Sequence, residues 1–146
     1  MLEKLQFNDK NIKVLCDRNG KNADMGMTIR VVRLLAGETF ALSDAECESA
    51  VLLISGQVTF KWENRTQAAS RKNAFEKKPY CLHICKNISA EITAETDSEF
   101  IVQQAENERS FDAVFYTPED TLYQEFGVGQ WNGAGHRVVS TIFDYV

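Results

Sequence analysis

The chain has 146 residues, of which 44% are hydrophobic, 25% charged and 10% aromatic, the composition of one ordinary globular domain and not of a disordered segment. Lys plus Arg number 16 against 21 Asp plus Glu, a net charge of −5, which argues against a dedicated nucleic-acid binder and disfavours attachment to anionic membranes. No apolar run approaches the ~20 residues that cross a bilayer, and Met1 to Phe7 contain no apolar secretory core; a cytoplasmic protein without nucleic-acid or membrane partners is expected.

In chain order, Met27 to Leu35 alternates Ile29, Val31, Arg33 and Leu35 with Thr28, Arg30, Val32 and Leu34. Both sets hold aliphatics, which predicts a strand packed on two sides. Ala36-Gly37-Glu38 reads as a turn. Ala50 to Ile54 is a short apolar run, and Gln57 to Trp62 alternates with Val58, Phe60 and Trp62 on one face. The Ser55-Gly56 pair between them predicts a hairpin. Glu63 to Lys78 is polar and irregular, the pattern of a solvated loop with a short strand. Tyr80 to Cys85 follows Pro79 as a further strand, and Ala90, Ile92 and Ala94 mark one that is half exposed. Asp97-Ser98 turns into Phe100 to Val102, and Val114 to Tyr116 comes next. Thr117 to Asp120 is a turn or a first helical turn with proline at N1. Leu122 to Phe126 leads into a glycine-rich stretch, Gly127 to Gly135, and Arg137 to Val146 reads as a last strand. No segment longer than two turns holds a helical period, so the fold class is all-β, a sandwich or barrel in a single domain.

The residues able to carry chemistry are few: Cys16, Cys47, Cys81, Cys85, His83 and His136 are all the cysteines and histidines. In Cys81-Leu82-His83-Ile84-Cys85, alternate side chains share a face if the segment is a strand. Its end residues then stand roughly 13 Å apart, too far for a disulfide or for both sulfurs to reach one zinc. An adjacent pair could hold a metal only with help from elsewhere, His136 for example. The other reading is a core-facing histidine flanked by buried thiols. His83 could also line a pocket and hydrogen-bond a polar ligand. Trp62 and Trp131 either stack on a sugar face or pack in a core or interface. His83, Cys81 and Trp62 are therefore the candidate ligand-binding residues; no metal site, cofactor or catalytic residue is assigned. The glycine-rich stretch matches neither a P-loop nor a Rossmann turn and reads as a loop or linker.

Gly37 and Gly56 stand at the spacing of the first cupin motif, G-x5-H-x-H-x3-E-x6-G, and that frame puts its metal-ligand positions on Ser43, Ala45 and Ser49. None of the three replaces imidazole or carboxylate as a strong ligand. Val32 to Thr39, Val51 to Val58, Lys78-Pro79-Tyr80 and Thr93 to Glu99 resemble the amino-terminal half of the 5-deoxyglucuronate isomerases of inositol catabolism, relatives of the 5-keto-4-deoxyuronate isomerases. Gly127-Val128-Gly129, Arg137-Val138-Val139 and Ile142 resemble the connection between that family's two cupin halves.

The resemblance implies a cupin-type jelly-roll barrel over 1–126, lacking metal ligands, and a Gly-rich connection with a terminal strand over 127–146 that leads to a second cupin beyond the chain. It implies that the family's metal-binding histidines and glutamate lie in that second half, so no catalytic residue carries over. Two functions follow as expectations. One is a scaffold or interface domain of a sugar-acid aldose–ketose isomerase, inactive alone and paired sheet to sheet in a homodimer. The other is a stand-alone cupin-like binding or assembly module for a small sugar or acid. A small metal enzyme centred on His83 is a third reading.

Overall fold

The computed structural model describes residues 4–143. The strands are β1 (Ile12–Cys16), β2 (Met27–Leu34), β3 (Thr39–Leu42), β4 (Cys47–Trp62), β5 (Arg65–Arg71), β6 (Cys81–Ile84), β7 (Ala90–Ala94), β8 (Ser98–Glu106), β9 (Val114–Tyr116), β10 (Leu122–Phe126) and β11 (Arg137–Thr141). The all-β expectation holds, and the arrangement is a single jelly-roll-like domain. The strand expected over Arg137 to Val146 is observed as far as Thr141, and 144–146 lie outside the described residues.

Two layers share β4. Its first part, Cys47 to Ser55, pairs with β8 and β6 in a front layer ordered β1-β2-β8-β4-β6-β9. Its second part, Gly56 to Trp62, pairs with β5 and β7 in a back layer that β3 extends. All of these pairings are antiparallel.

The hairpin expected at Ser55-Gly56 is therefore not formed, and the strand continues through it. The ladder with β8 slips between Leu53 and Ser55, and Gly56 takes φ 105°. The glycine serves a bulge that turns β4 from one layer into the other rather than a reversal of the chain. A Cβ on Gly56 would meet the Ser98 Cα at 2.7 Å and its Oγ at 2.1 Å. Composition around a Ser-Gly pair does not distinguish the two uses.

The layers close on each other through alternate residues. Val32, Leu34, Val51, Leu53, Leu82, Phe100 and Val102 face inward from the front; Leu42, Val58, Phe60, Ala90 and Ile92 face inward from the back. Phe40 meets Phe100 edge-on at a centroid distance of 5.6 Å, and Phe60 meets Phe115 at 5.3 Å. Full burial of each such side chain contributes about 1.5–3 kcal/mol. The polar segment after Asn64 forms β5 and then a loop pinned by Arg71, whose guanidinium donates to the carbonyls of Leu53, Ala74 and Lys77 at 2.7–3.2 Å.

The glycine-rich stretch is the loop of a separate hairpin, since β10 and β11 pair with each other from Leu122↔Thr141 to Phe126↔Arg137. Thr117 to Asp120 is a turn, closed by the Asp120 carboxylate, which accepts from the Thr117 N–H and hydroxyl at 2.7 and 2.8 Å.

Replacing Gly56 by alanine is expected to destabilise the domain by at least ~2 kcal/mol through strained φ and the clash with Ser98, lowering the melting temperature by roughly 5–10 °C. An unchanged melting temperature in differential scanning calorimetry would show that β4 does not need glycine at the crossing.

Candidate functional site

The inward face of the front layer changes character along its length. On β2 the inward residues run Leu34, Val32, Arg30, Thr28; on β8 they run Phe100, Val102, Gln104, with Thr28 opposite Gln104 and Arg30 opposite Val102. On β4 the inward Ser49 is also opposite Gln104. One end of the interior is thus hydrocarbon, while the other holds a guanidinium, an amide and two hydroxyls.

This polar end opens on a cavity of about 370 Å³, whose walls include Asp17, Arg30, Phe40, Ser43, Asp44 and Gln104. Gln104 is its hub. The Gln104 carbonyl accepts from Arg30 Nη2, and its amide lies 3.2 Å from both Asp44 Oδ2 and Ser49 Oγ. Asp44 is fixed from its other oxygen, which accepts the N–H groups of Glu46 and Cys47 at 2.9 and 2.8 Å where β4 begins. Burial alone would push the Asp44 carboxyl up, but those N–H bonds and the charge of Arg18 outweigh it and hold it below the usual carboxylate range.

Arg30 is less well served. Its Nε is buried with no hydrogen-bond partner, and no ion pair among the described residues includes it. Burial lowers its pKa, opposed by the charges of Asp17 and Asp44. Arg18, on the same cavity, differs: it bonds both Glu46 and Glu106. An unpaired buried N–H costs about 1–3 kcal/mol, more when the group is charged.

The cupin motif positions fall around this cavity. Ser43 lines it, Ser49 is bonded to its hub, and Ala45 is exposed nearby. Hydroxyl and methyl groups do not make a transition-metal site, and among the described residues no group of three or more His, Cys, Asp or Glu is placed to hold an ion. Ser43, Ala45 and Ser49 therefore do not fit a catalytic metal.

His83, Cys81 and Trp62 do not come together. Leu82 and Ile84 take the inward positions of β6, so Cys81 and His83 face outward. His83 stacks on Phe143 at 4.9 Å, contacts Phe111 at 4.5 Å, and places Nε2 3.6 Å from Glu48 Oε2. Cys81 is 1% exposed, and burial pushes its thiol up to about 12, so it remains protonated and a poor ligand or nucleophile at neutral pH. Trp62 is 3% exposed and stacks on Phe115 at 5.6 Å within the core. His136 lies elsewhere, 3.0 Å from Glu125 in the β10–β11 hairpin. Strand alternation does not single out Arg30, Asp44 and Gln104, because it identifies an inward face without saying which end of it is polar. An arginine between the inward aliphatic Val32 and the start of the strand was the available signal.

The whole chain, residues 1–146, matches the family model described as KduI/IolB family. An IolB-like protein from Salmonella typhimurium LT2 superposes with a TM-score of 0.83 at 23% identity, over 97% of this chain and 52% of its own. The chain therefore spans about half the length of that neighbour. YlbA from E. coli has a TM-score of 0.61 at 15% identity, over 83% of this chain and 51% of its own. A cupin 2 domain-containing protein from Halorhodospira halophila has a TM-score of 0.53 at 13% identity, over 73% of this chain and 68% of its own. At these identities the likeness concerns the fold, which is that of the cupins. No curated protein matches the chain at a significant level. Among the described residues no helix is long and apolar enough to cross a membrane.

His83 gives a pH dependence. Burial lowers its pKa below 6.5 and outweighs the opposing Glu48. The unfolded chain then binds the proton first as pH falls, so His83 costs no stability above about pH 6.5 and lowers it progressively below that value. Between pH 7.5 and 5.5 the urea midpoint of the wild type is expected to fall, with a shallower fall in His83→Gln; parallel slopes in the two proteins would contradict the assignment.

Proposed function

The chain belongs to the KduI/IolB family along its whole length and is a cupin domain related to sugar isomerases; from that premise we propose that it is the non-catalytic cupin half of a 5-deoxyglucuronate-type isomerase, supplying scaffold and interface. The observation that carries this reading is the replacement of the motif's ligand positions by Ser43, Ala45 and Ser49 around an arginine-based polar cluster. A metal at the motif's ligand positions would supply Lewis-acid polarisation of a substrate carbonyl. Ser43, Ala45 and Ser49 do not provide its seat, and in this reading the domain contributes no metal ligands of its own.

Two surfaces support the interface role. Across the outer face of the front layer one row runs Lys13, Val31, Ile101, Leu52, Cys81, Tyr116 in direct register, and Val31, Ile101 and Leu52 within it are only half buried. The β10–β11 hairpin exposes Leu122, Phe126, Val138, Val139 and, at 77%, Trp131. A two-stranded hairpin is marginal alone in water, and apolar side chains gathered on one element mark an association surface. The partner in this reading is a second copy, joined sheet to sheet. The four cysteines are free, as suits a reducing cytoplasm.

Purified without a tag and incubated with 5-deoxyglucuronate and Mn²⁺ or Zn²⁺, the chain is expected to form no ketose and to retain no stoichiometric metal. Metal-dependent turnover by this chain would overturn the non-catalytic assignment. Light scattering is expected to give a mass twice 16.5 kDa, shifted toward monomer by Val31→Lys; a monomeric wild type would exclude the homodimer.

A further inference from the structure

A second cavity, of about 1050 Å³, lies at the end of the domain opposite Gln104, beside the crossing of β4 at Ser55 and Gly56. Its volume stands at the upper limit of small-molecule sites, ~300–1,000 Å³. Arg71, Lys72, Lys77 and Lys78 line it against the carboxylates of Glu76, Asp97 and Glu119. In a chain with 16 basic and 21 acidic residues, this is a local reversal of sign.

Two of the carboxylates are already engaged. Glu76 pairs with Lys72 at 2.8 Å, and Asp97 accepts the Ala36 N–H at 3.0 Å. The other cations have no such partner. Arg71, 6% exposed, donates to main-chain carbonyls, which satisfy its hydrogens and leave its charge without a counter-ion. Lys78 gives a hydrogen to the Thr121 carbonyl at 3.0 Å, and an ammonium has three to give. Lys77 Nζ makes no hydrogen bond or ion pair among the described residues. Because Arg71 also bonds the carbonyl of Lys77, the loop that carries both lysines is fixed around the buried charge.

Uncompensated positive charge with ammonium donors suits a phosphoryl group, which carries nearly two negative charges at neutral pH and which lysine binds as a point charge. Asp97 and Glu119, on the same walls, accept hydroxyl hydrogens and disfavour an anion without them. We propose that this cavity binds a small hydroxylated phosphate monoester, its phosphate on Lys77 and Lys78 in the field of Arg71. The site goes beyond the scaffold reading and fails independently of it, because neither metal content, turnover nor dimer mass measures it.

Glycerol 3-phosphate, glycerol and sulfate are titrated separately into the ¹⁵N-labelled chain at constant ionic strength, with the amides of Gln57, Ser70, Lys77 and Lys78 followed by NMR. Glycerol 3-phosphate is expected to shift these signals saturably, with glycerol and sulfate each at least tenfold weaker. Lys77→Glu, at an exposed position, is expected to weaken the ester at least tenfold and leave the core spectrum unchanged. Lys61→Glu, the same change of charge near the far end of β4, is expected to leave its affinity within about twofold. Vesicles of phosphatidic acid in phosphatidylcholine present the same headgroup on a membrane, and the chain is expected not to sediment with them. No saturable shift, sulfate bound as tightly as the ester, undiminished binding in Lys77→Glu, equal weakening in Lys61→Glu, or sedimentation with the vesicles in place of soluble binding would each overturn the site.

Discussion

Gly56 and Ser98 approach so closely that no side chain fits between them, the nearest backbone atom of Ser98 standing 2.7 Å from where a Cβ would lie. That contact lets one strand belong to both layers. Before it, β4 sets Ser49 against Gln104 and Val51 against Val102 in the front layer. After it, the same strand sets Phe60 against Ile92 and Gln67 in the back. The polar site and the hydrophobic core are therefore placed by a single crossing, and moving it would displace both.

The two arginines turned into the domain differ in how fully they are paired. Arg71 is surrounded by carbonyls, donating to three residues of the main chain, and its work is to close the loop after β5. Arg30 has one neutral side-chain partner and an orphaned Nε, and it faces a cavity. Replacing a buried cation by a hydrocarbon of similar size often stabilises a protein. Arg30 stays incompletely paired at the polar end of the interior, where Gln104 links it to Asp44 and Ser49.

The layout of the strands was largely legible in the sequence, because the period of two in Val58-Phe60-Trp62 and Ala90-Ile92-Ala94 reports inward faces directly, and these residues are buried. The fate of Ser55-Gly56 was not, since a positive-φ glycine serves a bulge as readily as a turn, and only pairing with β8 and β7 decides between them. The glycines after Phe126 read as a loop or linker, and the pairing of β10 with β11 around them left no mark in composition. Cys81 and His83 share a face as alternation requires, but which face it is depends on Leu82 and Ile84 filling the core. The polar cluster draws Arg30, Asp44 and Gln104 from three distant segments; their spacing in the chain carries no sign of it.

Anomalous diffraction from crystals grown with Mn²⁺ tests most directly whether the interior between the two layers seats a catalytic metal. The account predicts no manganese peak there, beside Ser43, Ala45 and Ser49. A manganese peak coordinated between the layers by three protein groups would contradict it.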